Sequence, residues 1–179
     1  MKSNTHFSRI GSILVALTMA HMTALGQAPP SPGPEHEPLK RLEGEWTAKV
    51  KMGEDESSGI MTCKLECGGL WLISSYQGSF GGMDFQGRGM DGYDPEKKKY
   101  VSVWVDSFSA RPMLLEGSYD KGASTMTMTG EGPGLDGSPA KQKMVTRSSD
   151  NDHMTTTMYI VGADGTETQM MTIEYTRKK

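Results

Sequence analysis

The chain has 179 residues, of which 35% are hydrophobic and 23% charged, and carries a formal net charge of −3. An acidic balance argues against nucleic acid and anionic lipid surfaces as partners. There is no Walker loop, no Gly-x-Ser-x-Gly, no His-Glu-x-x-His and no repeated cysteine pair, so the chemistries those motifs carry have no footing here.

Residues 1–26 read as a secretory signal peptide. Lys2 and Arg9 make a basic start, no acid precedes Glu35, and Ile10 to Leu25 is mostly apolar. The stretch is broken by Thr18, His21 and Thr23 and is too short for a span of about 20 apolar residues. Ala24-Leu25-Gly26 fits the small-x-small rule, which places cleavage after Gly26 and the mature protein outside the cytoplasm, in periplasm or medium. Gln27, not a cysteine, stands directly after the cleavage point, so a lipid anchor is not expected, nor is a membrane span in the mature chain. Loss of Lys2 and Arg9 leaves 17 basic residues against 22 acidic ones. Residues 27–38 hold Pro29, Pro30, Pro32, Pro34 and Pro38 and read as an extended, disordered tether. From 39 to 179 the length suits one domain.

That domain opens with a short helical lid over Glu37–Leu42, with Pro38 at its first turn and Gly44 at its end. Period-two segments follow near 45–52, 58–66, 69–77, 84–92, 98–106, 111–119, 123–130, 140–148, 153–161 and 167–177, separated by Gly, Asn, Asp and Pro. In the first, Trp46, Ala48, Val50 and Met52 share a face. Ten hairpin-linked strands leave two raw edges unless the sheet closes. The expected fold is therefore all-β, a closed up-and-down antiparallel barrel of about ten strands. In such a barrel the first and last strands meet. Trp46 then buries its ring at one end, under the guanidinium of Arg177, with Gly44 beside it.

Cys63 and Cys67 would lie about 13 Å apart in one extended strand, beyond bridging distance. A disulfide would need a bend at Glu66–Gly69. The run Lys97–Lys99 reads as a solvated hairpin flank and Gly130–Gly134 as a mobile hairpin rather than a phosphate cradle.

For the lumen, Ser102, Trp104 and Asp106 share one strand face, with Glu116 on the next strand and Arg88 on an earlier one. A carboxylate inside a barrel needs a partner, and Arg88 or Arg111 would supply it to Asp106 or Glu116. The competing reading makes Asp106 and Ser107 a simple turn. Met128 and Met158 are further lumen candidates among 15 methionines, a residue that fills irregular apolar space. Adjacent Met170 and Met171 should point opposite ways. No Met-His-Cys set is complete enough for copper, and no other metal site is expected.

Gly44-Glu45-Trp46, Gly68-Gly69-Leu70-Trp71, Gly92-Tyr93-Asp94-Pro95, Trp104-Val105-Asp106-Ser107, Glu116-Gly117-Ser118-Tyr119-Asp120 and Glu174-Tyr175-Thr176-Arg177 occur in that order. Together they resemble a bacterial family known as domain of unknown function 1579, over nearly the whole mature domain. The resemblance implies a calycin-like barrel, the group that includes lipocalins, fatty-acid-binding proteins and nitrobindins. It implies no activity. A nitrobindin-like haem would need a lumen histidine. The mature chain has only His36, in the tether, and His153, near a rim, so no haem or other cofactor is expected. The leading expectation is an exported, non-enzymatic barrel holding a small, partly apolar ligand. The alternatives are an interaction module of the cell envelope, its protein partners unspecified, and an enzyme using lumen carboxylates on an envelope component.

Overall fold

The computed structural model describes residues 28–134 and 137–179. The expected signal peptide lies outside the described residues. Ser31–Lys179 forms one compact unit.

Ten strands follow in chain order: β1 (Gly44–Met52), β2 (Asp55–Glu66), β3 (Trp71–Phe80), β4 (Met83–Asp94), β5 (Lys99–Asp106), β6 (Ser109–Asp120), β7 (Thr125–Pro133), β8 (Pro139–Ser148), β9 (His153–Val161) and β10 (Glu167–Arg177). Each pairs antiparallel with its sequence neighbours, and β1 pairs with β10 from Trp46↔Arg177 to Lys51↔Thr172, so the barrel is closed. Period-two alternation sets the wall. Trp46, Ala48 and Val50 turn inward and are buried while Lys49 and Lys51 remain exposed.

One end of the barrel is plugged. Trp46 is 2% exposed, and its indole Nε1–H donates to the Leu42 carbonyl at 2.9 Å. The Arg177 guanidinium lies 4.0 Å from the indole ring centroid. Its Nε, Nη1 and Nη2 donate to the carbonyls of Asn151, Glu43 and Arg41 at 3.0, 2.5 and 2.7 Å. Gly44 sits at φ +126°, and a Cβ there would lie 2.7 Å from Nη1. Only glycine meets both conditions without displacing the arginine.

The lid extends further back than the sequence suggests. A 3-10 turn, Pro34–His36, leads into the four-residue helix α1 (Glu37–Lys40), and both His36 and Leu39 are buried. The Tyr100 hydroxyl donates to the Glu35 carbonyl at 2.7 Å, and His36 meets Tyr93 edge-on. The end of the expected tether is thus packed onto the barrel, because its histidine and backbone find partners there.

One local expectation holds and another changes. Cys63 is buried in β2, Cys67 is exposed in the 3-10 turn Cys67–Gly69, and both are free thiols. Burial first, then the nearby Asp91 carboxylate, pushes the Cys63 thiol up to about 12, against a smaller opposing pull from Arg177. A thiol reagent at pH 8 is expected to label Cys67 promptly and Cys63 only after denaturation. Equal labelling rates, or no labelling before reduction, would contradict this. The change is at Met170. A β-bulge between Gln169 and Met171 breaks the alternation, so Met170 and Met171 both line the lumen.

Candidate functional site

Within the barrel wall runs a cavity of about 500 Å³, within the range of small-ligand sites. Ten methionines line it, among them Met128, Met144, Met154 and Met158. Leu39 and Leu42 lie at the plugged end. Phe80, Phe85 and Phe108 lie at the other, where their rings meet at centroid distances of 5.1 to 6.5 Å. Phe108 stays 47% exposed, so this end is an aromatic mouth.

Trp104 covers part of one wall. Its ring lies over two glycines of β4. A Cβ at Gly87 would come within 2.1 Å of the ring, and one at Gly89 within 3.2 Å. Its Nε1–H donates to Asp106 Oδ2 at 3.0 Å, while Asp106 Oδ1 accepts from the backbone N–H groups of Phe108 and Ser109. Asp106 therefore caps the β5–β6 turn, as the competing sequence reading had it, and it also fixes the indole, taking the Trp104 N–H rather than an arginine as its side-chain partner. Gly87→Val should unseat Trp104 and destabilise by about 1–3 kcal/mol, as overpacking does. Near-UV circular dichroism and a thermal melt would register it, and wild-type signals in both would refute the seat.

Ser102, Trp104, Asp106, Met128 and Met158 line the cavity as expected from sequence. Arg88 and Glu116 do not. On β4 the inward row is Phe85, Gly87, Gly89, Asp91 and Tyr93, so Arg88 between two inward glycines points out and is exposed. On β6 the inward row holds Met113, Leu115 and Tyr119, so Glu116 points out, where it pairs with Lys97 and Lys99. Arg111 lines the cavity only as an exposed residue near the mouth, with no ion pair to Asp106 or Glu116.

The lumen carboxylate missed in the sequence is Asp91. It stands between Leu72 of β3 and Ser102 of β5 in the sheet register, in the half of the barrel nearer the plug. Its exposure is to the cavity rather than the outer surface. Burial pushes its carboxyl up to about 6, and the hydroxyl of Ser102 opposes that in part. Ser74, Ser102, Cys63 and Tyr175 add polar atoms to the same lining. Desolvation also raises the Tyr175 phenol. The Tyr76 hydroxyl and Gln142 Oε1 are buried without a hydrogen-bond partner within the protein, although Gln142 Nε2 donates to the Pro133 carbonyl at 2.5 Å. Among the described residues no cluster of His, Cys, Asp and Glu is arranged to hold a metal ion, and no helix is long and apolar enough to cross a membrane.

These features define a closed, hollow, ten-stranded antiparallel barrel with a plugged end. A family model matches residues 31–177, and the chain belongs to that family, described as protein of unknown function (DUF1579). No curated protein matches the sequence significantly. Among solved structures, Rv2717c from M. tuberculosis is similar in fold, with a TM-score of 0.59 at 13% identity over 82% of this chain and 99% of that one. A redesigned β-barrel, mFAP0, bound to DFHBI, aligns at 13% identity over 76% of this chain and 99% of its own, with a TM-score of 0.44.

Proposed function

We propose that the protein is an exported binding barrel that holds one small, largely apolar molecule in its lumen. The observation that carries this reading is the cavity itself: about 500 Å³ of space, walled mainly by methionine and aromatic side chains, inside a barrel whose interior a purely structural module would fill. Methionine suits such a lining because its unbranched thioether adapts to the shape of a guest. The unpartnered Tyr76 hydroxyl and Gln142 carbonyl oxygen fit the same reading, since buried polar atoms are costly to leave unsatisfied and a guest can satisfy them. Export is the reading of residues 1–26 and is tested separately, by sequencing the amino terminus of the mature protein.

Native mass spectrometry of protein purified without denaturant tests the binding role. An adduct of one organic molecule per chain is the expected result. A bare chain mass, with a side-chain-filled lumen in a crystal structure, would favour the envelope interaction module instead.

A further inference from the structure

Toward its plugged end the lumen holds a carboxylate that no described lining residue meets with a positive charge. Among the described residues, Asp91 and Asp106 are the carboxylates in the cavity lining, and Arg111 is the cationic residue there. Asp106 is committed to the Trp104 indole and two backbone N–H groups. Arg111 is exposed near the aromatic mouth, where the β5–β6 turn lies. Asp91 is toward the other end, nearer the plug. The plug's own cation, Arg177, has its nitrogens taken by three backbone carbonyls and pairs with Asp152 at 3.3 Å. Asp91 is therefore a lumen carboxylate with neutral company: Ser102 across the strand pair, and the Cys63 thiol and Tyr175 phenol near enough to feel its charge. A buried carboxylate is stable when an opposite charge and hydrogen-bond donors meet it.

We infer that Asp91 is the anchor for a basic nitrogen, and that the ligand is an amphiphile whose cationic amine sits toward the plugged end while its apolar body runs to the mouth between Phe80, Phe85 and Phe108. This rests on the binding role proposed above and specifies its ligand class. The polarity excludes the opposite class. A fatty-acid carboxylate at the same depth would face Asp91 with no cation between them, and like charges in a low-dielectric lumen repel. The apolar length is supplied by the methionine walls, and the Ser74 and Ser102 hydroxyls can accept the remaining N–H bonds of an ammonium group.

The test uses the neutral dye N-phenyl-1-naphthylamine as a reporter of lumen occupancy. Dodecylamine, dodecanol and dodecanoate, matched in chain length, compete for it at pH 8. Dodecylamine is expected to displace the dye at about tenfold lower concentration than dodecanoate, the size of effect a close charge pair gives. In Asp91→Asn the preference should vanish. In Glu116→Gln, which removes an outward carboxylate, it should persist. Equal or better displacement by dodecanoate in the wild-type protein overturns the inference, and so does an amine preference that survives Asp91→Asn. If the dye does not enter the wild-type barrel at all, the binding role itself fails, a different outcome from a wrong ligand class.

Discussion

Trp46→Ala is expected to cost about 3–5 kcal/mol, the range for deleting a large buried aromatic. Its ring is 2% exposed, it carries the Arg177 guanidinium at 4.0 Å, and its N–H holds the Leu42 carbonyl that ends the lid. Removing it leaves a void under Arg177, frees a carbonyl and loosens the β1–β10 seam in one step. In a domain of this size each kcal/mol moves the thermal midpoint by about 2–4 °C, so a fall of about 6–20 °C is expected in a calorimetric scan. Trp71→Ala is the useful comparison. That ring lies on the outer surface over Gly92, is only half-buried, and should cost less. Equal losses would mean that the plug has no special weight.

Asp91→Asn should act in the opposite direction. Burial raises the folded carboxyl from an ordinary value near 3.8 to about 6. The folded state then holds a proton that the unfolded state releases between those values, so this group's contribution to stability falls as pH rises through that window and stays low above it. The size follows from 1.36 kcal/mol per pH unit: about 3 kcal/mol by pH 8. Neither Cys63 nor Tyr175, which face it, ionises in that range, because burial pushes both upward. The variant should match the wild type near pH 4 and exceed it by about 3 kcal/mol at pH 8 in urea unfolding. Outward carboxylates such as Glu116 and Asp150, held down by lysine and by backbone N–H groups, stabilise with rising pH instead and cancel in the comparison. A variant less stable at pH 8 would mean that Asp91 has a stabilising partner in the protein. A stable variant that loses its amine preference would show a carboxylate kept at a cost to stability for the sake of a guest.

Most of the wall was legible because side-chain parity is a local property. Trp46, Ala48 and Val50 or Met154, Thr156 and Met158 declare their face by alternation alone, and Gly44, Trp46 and Arg177 declare the seam because closure must bring the first and last strands together. The site was less legible where the inward residue has no side chain. In β4 the inward positions 87 and 89 are glycines, so the charged Arg88 between them looked like the residue with a task. The aromatic pair Phe85 and Tyr93, an even number of residues apart, carried the true parity and would have placed Asp91 inside. Glu116 was misplaced for a related reason: the run Met113-Leu114-Leu115 before it puts apolar side chains on both faces and hides the parity, since Leu114 is 52% exposed. Met170 escaped because a bulge adds a residue to one strand only, and no composition signal marks it. His36 looked like tether because the groups that hold it and Glu35 on the barrel, the Tyr93 ring and the Tyr100 hydroxyl, arrive only with the closed sheet.

The hollow lumen is tested most directly by dye uptake in the wild-type protein and in Met158→Trp, a variant that puts a larger side chain into the cavity. Saturable uptake of one N-phenyl-1-naphthylamine per chain is expected in the first, with strong loss in the second at little cost in thermal midpoint, because the added ring occupies empty space. Uptake that is absent in both, or undiminished by Met158→Trp, would contradict a guest-holding interior.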